Sequence, residues 1–154
     1  VSKSAAKFDP AELDTLNRSL VHRMPFASVE DRLKNAGITG PLAEPFWLAV
    51  RANLDKVSEA AEWWKVVTSA PASAEKPEPS DIEFLKQAFT LLPEGETGAD
   101  TWKEWTGKVK AQTGRSGKSL FMPLRLALTG RSHGPELAQL LPLIGREGIL
   151  ARRP

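Results

Sequence analysis

Apolar residues recur along this chain at spacings of three and four, the signature of helices with one buried face. Leu13, Leu16, Leu20 and Met24 form the first such series. It is preceded by Asp9-Pro10-Ala11-Glu12, which reads as a capping residue, a first-turn proline and the Glu of a capping box. Ser28 to Ala36 predicts a short second helix closed by Gly37. Leu42 to Asn53 and Asp55 to Thr68 predict a third and a fourth, with Phe46, Trp47, Trp63 and Trp64 as core candidates. Ser80-Asp81-Ile82-Glu83 restarts a helix with a second capping box, and Ile82, Leu85 and Phe89 line its face. Asp100 to Gln112 resumes the pattern after "PEGETG". Leu120 to Leu128 is apolar except for Arg125, and its Pro123 fits only near the helix start. Pro135 opens a further helix through Leu137, Leu140 and Leu141 that Gly145 ends, and Glu147 to Arg153 is a last short one. No segment alternates as a half-buried strand does, so the fold class is all-α.

One stretch interrupts the helical pattern. "SAPASAEKPEPSD", Ser69 to Asp81, has three prolines, three alanines and no bulky apolar residue. That composition predicts a linker. It divides the chain into residues 1–70, a linker at 71–80, and residues 81–154, giving two small helical subdomains.

Composition adds little to this picture except by exclusion. The chain has 154 residues, 41% hydrophobic and 26% charged, as expected of globular domains. It lacks an apolar run of membrane-spanning length, and its first residues have no apolar core of the kind a signal peptide needs. There is no cysteine, and His22 and His133 stand far apart, so neither a disulfide framework nor a metal site is expected. These features fit a cytoplasmic protein.

Charge changes the picture more. Residues 1–102 carry 11 basic and 16 acidic side chains, whereas residues 103–154 carry 10 and 3. Between Trp105 and Pro135 there are six Lys or Arg and no acid. A basic patch confined to one end is the electrostatic footprint of a polyanion. The same region contains Gly117-Lys118-Ser119, but a phosphate-binding loop of the G-x-x-x-x-G-K-[ST] type would need glycine where Gln112 stands, and no strand precedes it. No Ser/His/Asp set has a catalytic motif around it, so no catalytic residue is assigned. A binding surface is the better reading. Arg125 has a planar fork suited to a base edge or a phosphate, and inside an apolar helix it must be paired or aimed at a partner. Arg115, Lys118 and Arg131 lie in glycine-rich surroundings where the backbone can approach phosphates closely. Trp102 and Trp105, three apart on one helix, are candidates for stacking on an unpaired base, although core packing is the commoner role of tryptophan. The alternative from another class is an all-α protein-interaction module whose apolar stripes dock a partner helix.

Two segments carry a family resemblance. "VSKSAAKFD" followed by "LDTLNRSLVHRMP" resembles the region just after the catalytic domain of bacterial glutamyl-tRNA synthetases. "KSLFMPLRLALTGRSHGPELAQLLPLIGREGILARR" is similar to their C-terminal end, with the signature "LF.PLR.ALTG…GPEL". The resemblance implies the anticodon-binding part of such an enzyme, a helical cage in two subdomains, acting as a monomer on tRNA(Glu), with neither DNA nor membrane as partner. It implies that Arg125 and Leu137 contact the anticodon, and that Arg51, in "FWLAVRANLDKVSEAAEWW", reads its last base. The middle region departs from the family pattern, with Asn53 in place of a Thr and Trp63-Trp64 in place of a Tyr-Phe-Phe run. The "VSKS" at the start lacks the leading Lys of a class I K-M-S-K-S loop, and no H-I-G-H element is present. No cofactor is therefore expected to bind this chain. The resemblance gives ATP and Mg, and the ligase chemistry itself, to the catalytic domain of the parent enzyme.

Overall fold

The computed structural model describes residues 10–69 and 75–154, and among them every regular element is helical. The predicted cap at Asp9 and the centre of the Pro-rich stretch lie outside the described residues. The chain divides into two compact units, Val1–Trp63 and Trp64–Pro154.

The first unit is built from α1 (Pro10–Arg23), α2 (Phe26–Asn35) and α3 (Ala43–Val50), followed by 3-10 turns at Arg51–Asn53 and Val57–Glu59. Its core holds Val29, Leu33, Ile38, Phe46, Trp47, Val50 and Leu54, all at most 1% exposed. The end of α2 shows how sequence fixes a boundary. Gly37 adopts φ 86°, its N–H bonds to the Lys34 carbonyl at 2.9 Å, and the Ile38 N–H bonds to the Leu33 carbonyl at 2.8 Å. That is the paired closure of a Schellman motif, and its customary apolar contact is met by the buried Ile38 and Leu33. The helix expected from Asp55 starts later. The Glu59 carboxylate accepts the N–H groups of Asp55 and Lys56 at 2.6 and 3.0 Å, and this holds the approach extended until Val57. The α1 stripe differs from a core face: Leu13, Leu16 and Leu20 remain 44%, 54% and 49% exposed, while Val21 is buried.

The division between units falls within α4 (Ala60–Thr68), ahead of the Pro-rich stretch. Beyond it, the second unit contains α5 (Ile82–Thr90), α6 (Thr101–Thr113), α7 (Lys118–Thr129) and α8 (Leu137–Ala151). Arg152 supplies a reason for the position of the division. Its Nη2 donates to the carbonyls of Val66 and Ser69 at 2.6 and 2.7 Å, and its Nη1 donates to Gly148 at 3.0 Å. The guanidinium is buried, and burial lowers its pKa. Its charge is balanced by the carbonyl ends of two helices in place of a carboxylate. The last turn of α4 is thereby tied to α8.

Trp105 occupies the centre of this unit. It is fully buried, its Nε1 donates to the Ala88 carbonyl at 2.8 Å, and its ring meets Phe89 edge-on at 5.3 Å. Leu85, Val109, Leu120, Leu124 and Leu140 are buried in the same unit. Pro123 lies in the second turn of α7. It has no N–H for the Ser119 carbonyl, and that carbonyl instead accepts Arg115 Nη1 at 3.1 Å. Gly145, with φ 77° and ψ 163°, is not helical, so α8 consists of two helices that meet at this glycine, as the sequence predicted.

Candidate nucleic-acid interface

The basic region of the sequence becomes the second half of α6, with Lys108 and Lys110, the loop between α6 and α7, the helix α7, and the loop before α8. Gly114 closes α6 in the left-handed region at φ 76°, and Gly117 precedes α7 at φ 58°. The turn between the helices therefore uses conformations that glycine adopts without strain.

The residues singled out in the sequence are not equivalent. Lys118 is exposed on the first turn of α7 and makes no ion pair among the described residues. Arg125 is half-buried further along the same helix, and its Nη1 donates to the Pro135 carbonyl at 3.1 Å. Burial lowers its pKa, yet an arginine remains charged throughout the physiological range. Among the described residues no carboxylate pairs with it, so its charge is braced by a single carbonyl. Arg131 is half-buried beside Thr129, whose hydroxyl donates to the Arg125 carbonyl at 2.8 Å and accepts the Arg131 N–H at 3.1 Å. The glycine-rich loop is thus fastened to the end of α7.

Four residues are engaged within the protein. Arg115, expected as a phosphate clamp, is engaged within the protein. Its Nη1 lies 2.7 Å from Asp81 Oδ1, and its guanidinium sits 4.1 Å above the Phe84 ring. The capping box expected at Ser80-Asp81-Ile82-Glu83 does not form, and Asp81 serves this pair. Trp105, offered for base stacking, has no exposed ring, because periodicity places it on the α6 face that meets Phe89. Leu137 is only 3% exposed and belongs to the core at the start of α8, so it offers no open surface on which a base could lie.

Arg51 belongs to the first unit. It begins the 3-10 turn after α3, and its Nη1 donates to the Met24 carbonyl at 3.0 Å. Trp47 Nε1 donates to the same carbonyl at 2.8 Å. The guanidinium stem is thereby held while the group stays partly accessible.

One further residue is not evident from the sequence pattern. Phe121 is 44% exposed, and its ring lies 6.0 Å from that of Trp102, tilted by 41°. Lys118, Phe121 and Arg125 follow at intervals of three and four, so they share one face of α7. The available signal was an aromatic between two cations at helical spacing. It was hidden because Phe121 stands in a run that reads as uniformly apolar.

Among the described residues, α7 presents an exposed lysine, a half-buried arginine and an exposed aromatic ring on one face. Residues 19–152 match the model of the anticodon binding domain family, and the chain belongs to that family. It is 58% identical over 153 residues to glutamate–tRNA ligase 2 of Mesorhizobium japonicum, covering 99% of this chain and 34% of that protein. It is 59% identical over 153 residues to glutamate–tRNA ligase 1 of Chelativorans sp., covering 99% of this chain and 33% of that protein. The chain spans about a third of the length of these curated relatives. Its fold is similar to that of a glutamate tRNA ligase from Elizabethkingia meningosepticum, with a TM-score of 0.78 and 18% identity over 94% of this chain and 31% of that one.

Proposed function

We propose that this chain is the anticodon-binding part of a glutamate–tRNA ligase and that it grips the anticodon loop of tRNA(Glu). The observation that carries the reading is the 58% identity to a glutamate–tRNA ligase over nearly the whole chain, combined with an acid-free basic segment that runs from the second half of α6 through α7 to the loop before α8. RNA sequence is read on unpaired loops whose bases can be splayed out, and such loops are approached through their phosphates. Lys118 would meet phosphate, Arg125 would meet a base edge or phosphate, and Arg51 would read the last anticodon base. Arg131 would steady the loop beside Arg125. Leu137 would support that loop from beneath, which is a smaller role than direct contact.

The whole ligase would join glutamate to tRNA with ATP and Mg in the cytoplasm, working as a monomer. The residues of this chain do not fit that cofactor pair: among the described residues no three His, Asp or Glu side chains gather as metal ligands, and no nucleotide loop is present. Those groups belong to the remaining two-thirds of a protein like its relatives.

The test is binding of the 154-residue chain to tRNA(Glu) and tRNA(Gln) transcripts at two salt concentrations. Affinity is expected to fall steeply with salt and to favour tRNA(Glu). Salt-independent binding, or no binding, would overturn the reading.

A further inference from the structure

We infer that Phe121, backed by Trp102, is a stacking platform for one unpaired base of the RNA loop. This assignment rests on the tRNA-binding reading above and goes further by naming the ring that receives the base.

A phenylalanine 44% exposed in an otherwise well-packed unit leaves a large apolar ring in water. Phe121 could have been buried by a small rotation of α7, but Leu120 and Leu124 on the adjacent face already fill the core at 1% and 0% exposure. The ring is held in place. Trp102 lies 6.0 Å away at 41°, and Trp102 in turn meets the buried Trp105 edge-on at 6.0 Å. Three aromatics thus run from the core outward: Trp105 fixed by its bond to Ala88, Trp102 half-buried, Phe121 at the surface. A ring supported in this way loses little freedom when a ligand covers it.

Charge identifies the occupant. Lys118 stands one turn before Phe121 and Arg125 one turn after it, and no acid lies between Trp105 and Pro135 in the sequence. An apolar protein partner needs no such flanks. A nucleotide needs both, because its base is a flat π surface and its two neighbouring phosphates are anionic. Single-stranded nucleic acid is bound by this combination of an aromatic ring with cations tracking the backbone. The α7 face therefore fits a base on Phe121 with its phosphates towards Lys118 and Arg125.

The experiment uses the 154-residue chain, a tRNA(Glu) transcript, and an anticodon stem-loop of about 17 nucleotides whose loop positions are replaced one at a time by abasic residues. Phe121→Leu keeps apolar bulk and removes the ring, whereas Phe121→Tyr keeps the ring. Phe121→Leu is expected to weaken binding about 5- to 150-fold, the effect of one base–aromatic stack, with the salt slope unchanged. Phe121→Tyr is expected to bind like the parent chain. One abasic position should weaken the parent chain similarly and abolish the difference between it and Phe121→Leu. Lys118→Ala, in contrast, should reduce the salt slope by about one unit for each phosphate it no longer neutralises. If Phe121→Leu binds as tightly as the parent chain while Lys118→Ala binds more weakly, the stacking inference fails and the tRNA reading stands. If the parent chain binds no RNA, the tRNA reading itself fails. If Phe121→Leu does not fold, the abasic series on the parent chain decides, and a uniform response across the loop overturns the platform. Sedimentation velocity on the same samples covers another occupant: self-association abolished in Phe121→Tyr or Phe121→Leu without a change in RNA affinity would assign the face to a second copy.

Discussion

Arg115 and Asp81 are 34 residues apart and meet at 2.7 Å, with the guanidinium lying over the Phe84 ring. The pair joins the loop before α7 to the start of α5, and the Ser119 carbonyl freed by Pro123 completes its hydrogen bonding. Its Nη1 serves Asp81 and Ser119, and its face lies on Phe84. The basic residues of the second unit are spread over α6, α7 and the loops beside them.

Arg115→Ala is expected to lower stability by about 1 kcal/mol while leaving the salt slope of RNA binding nearly unchanged, since the pair is partly solvated. Thermal melts of the single variants and of Arg115→Ala with Asp81→Ala form a double-mutant cycle, and a coupling energy of zero would show that the pair is only incidental.

Trp105→Ala should cost about 3–5 kcal/mol, because it empties the centre of the unit and leaves the Ala88 carbonyl without its donor. Urea denaturation checks this. The same substitution at Trp102, half-buried, should cost clearly less, and equal losses would contradict the arrangement of the three rings.

Gly148→Ala is expected to destabilise, against the gain that alanine ordinarily brings to a helix. A Cβ there would stand 2.8 Å from Ile144 Cγ2 and 3.1 Å from Arg152 Nη1. The methyl of a β-branched side chain cannot swing aside freely. A loss of about 1–3 kcal/mol, typical of overpacking, should appear as a lower melting temperature. A raised melting temperature would mean that the last turn of α8 can shift at no cost.

Arg51→Gln is expected to narrow the preference for tRNA(Glu) over tRNA(Gln) by about 1–3 kcal/mol, the worth of a good base contact. Stability should change little, because Trp47 keeps its bond to the Met24 carbonyl. Dissociation constants at fixed salt measure this, and equal weakening of both tRNAs would make Arg51 a structural or phosphate-contacting residue.

Most helices were legible because their boundaries are local. Gly37, Gly114 and Gly130 each end a helix with a left-handed backbone, a property of the residue and its immediate neighbours. The site was less legible because its chemistry depends on distant partners. Ser80-Asp81-Ile82-Glu83 satisfies the local rule for a capping box, yet Ser80 lies inside the 3-10 turn Pro79–Asp81 and no side-chain cap forms, while Asp81 pairs with a residue 34 positions away. Trp102 and Trp105 share a helix face, and only packing against Phe89 decides which is buried. Arg125 was recognisable from its apolar surroundings, but its brace, the Pro135 carbonyl, comes from a loop whose path no periodicity encodes.

Arg152 joins its helix to a carbonyl 86 positions earlier in the chain. On the ribosome that separation becomes a delay. α5, α6 and α7 can form as they emerge, because each helix is closed by bonds between near neighbours in sequence. The last turn of α4 leaves the exit tunnel long before the guanidinium that clasps it. Until residue 152 is free, the Val66 and Ser69 carbonyls must be satisfied by water, and the second unit stays open at that corner. The first unit, where the bond from His22 to the Leu54 carbonyl spans 32 residues, can close while its neighbour is still being made. The second unit is thus the last to close.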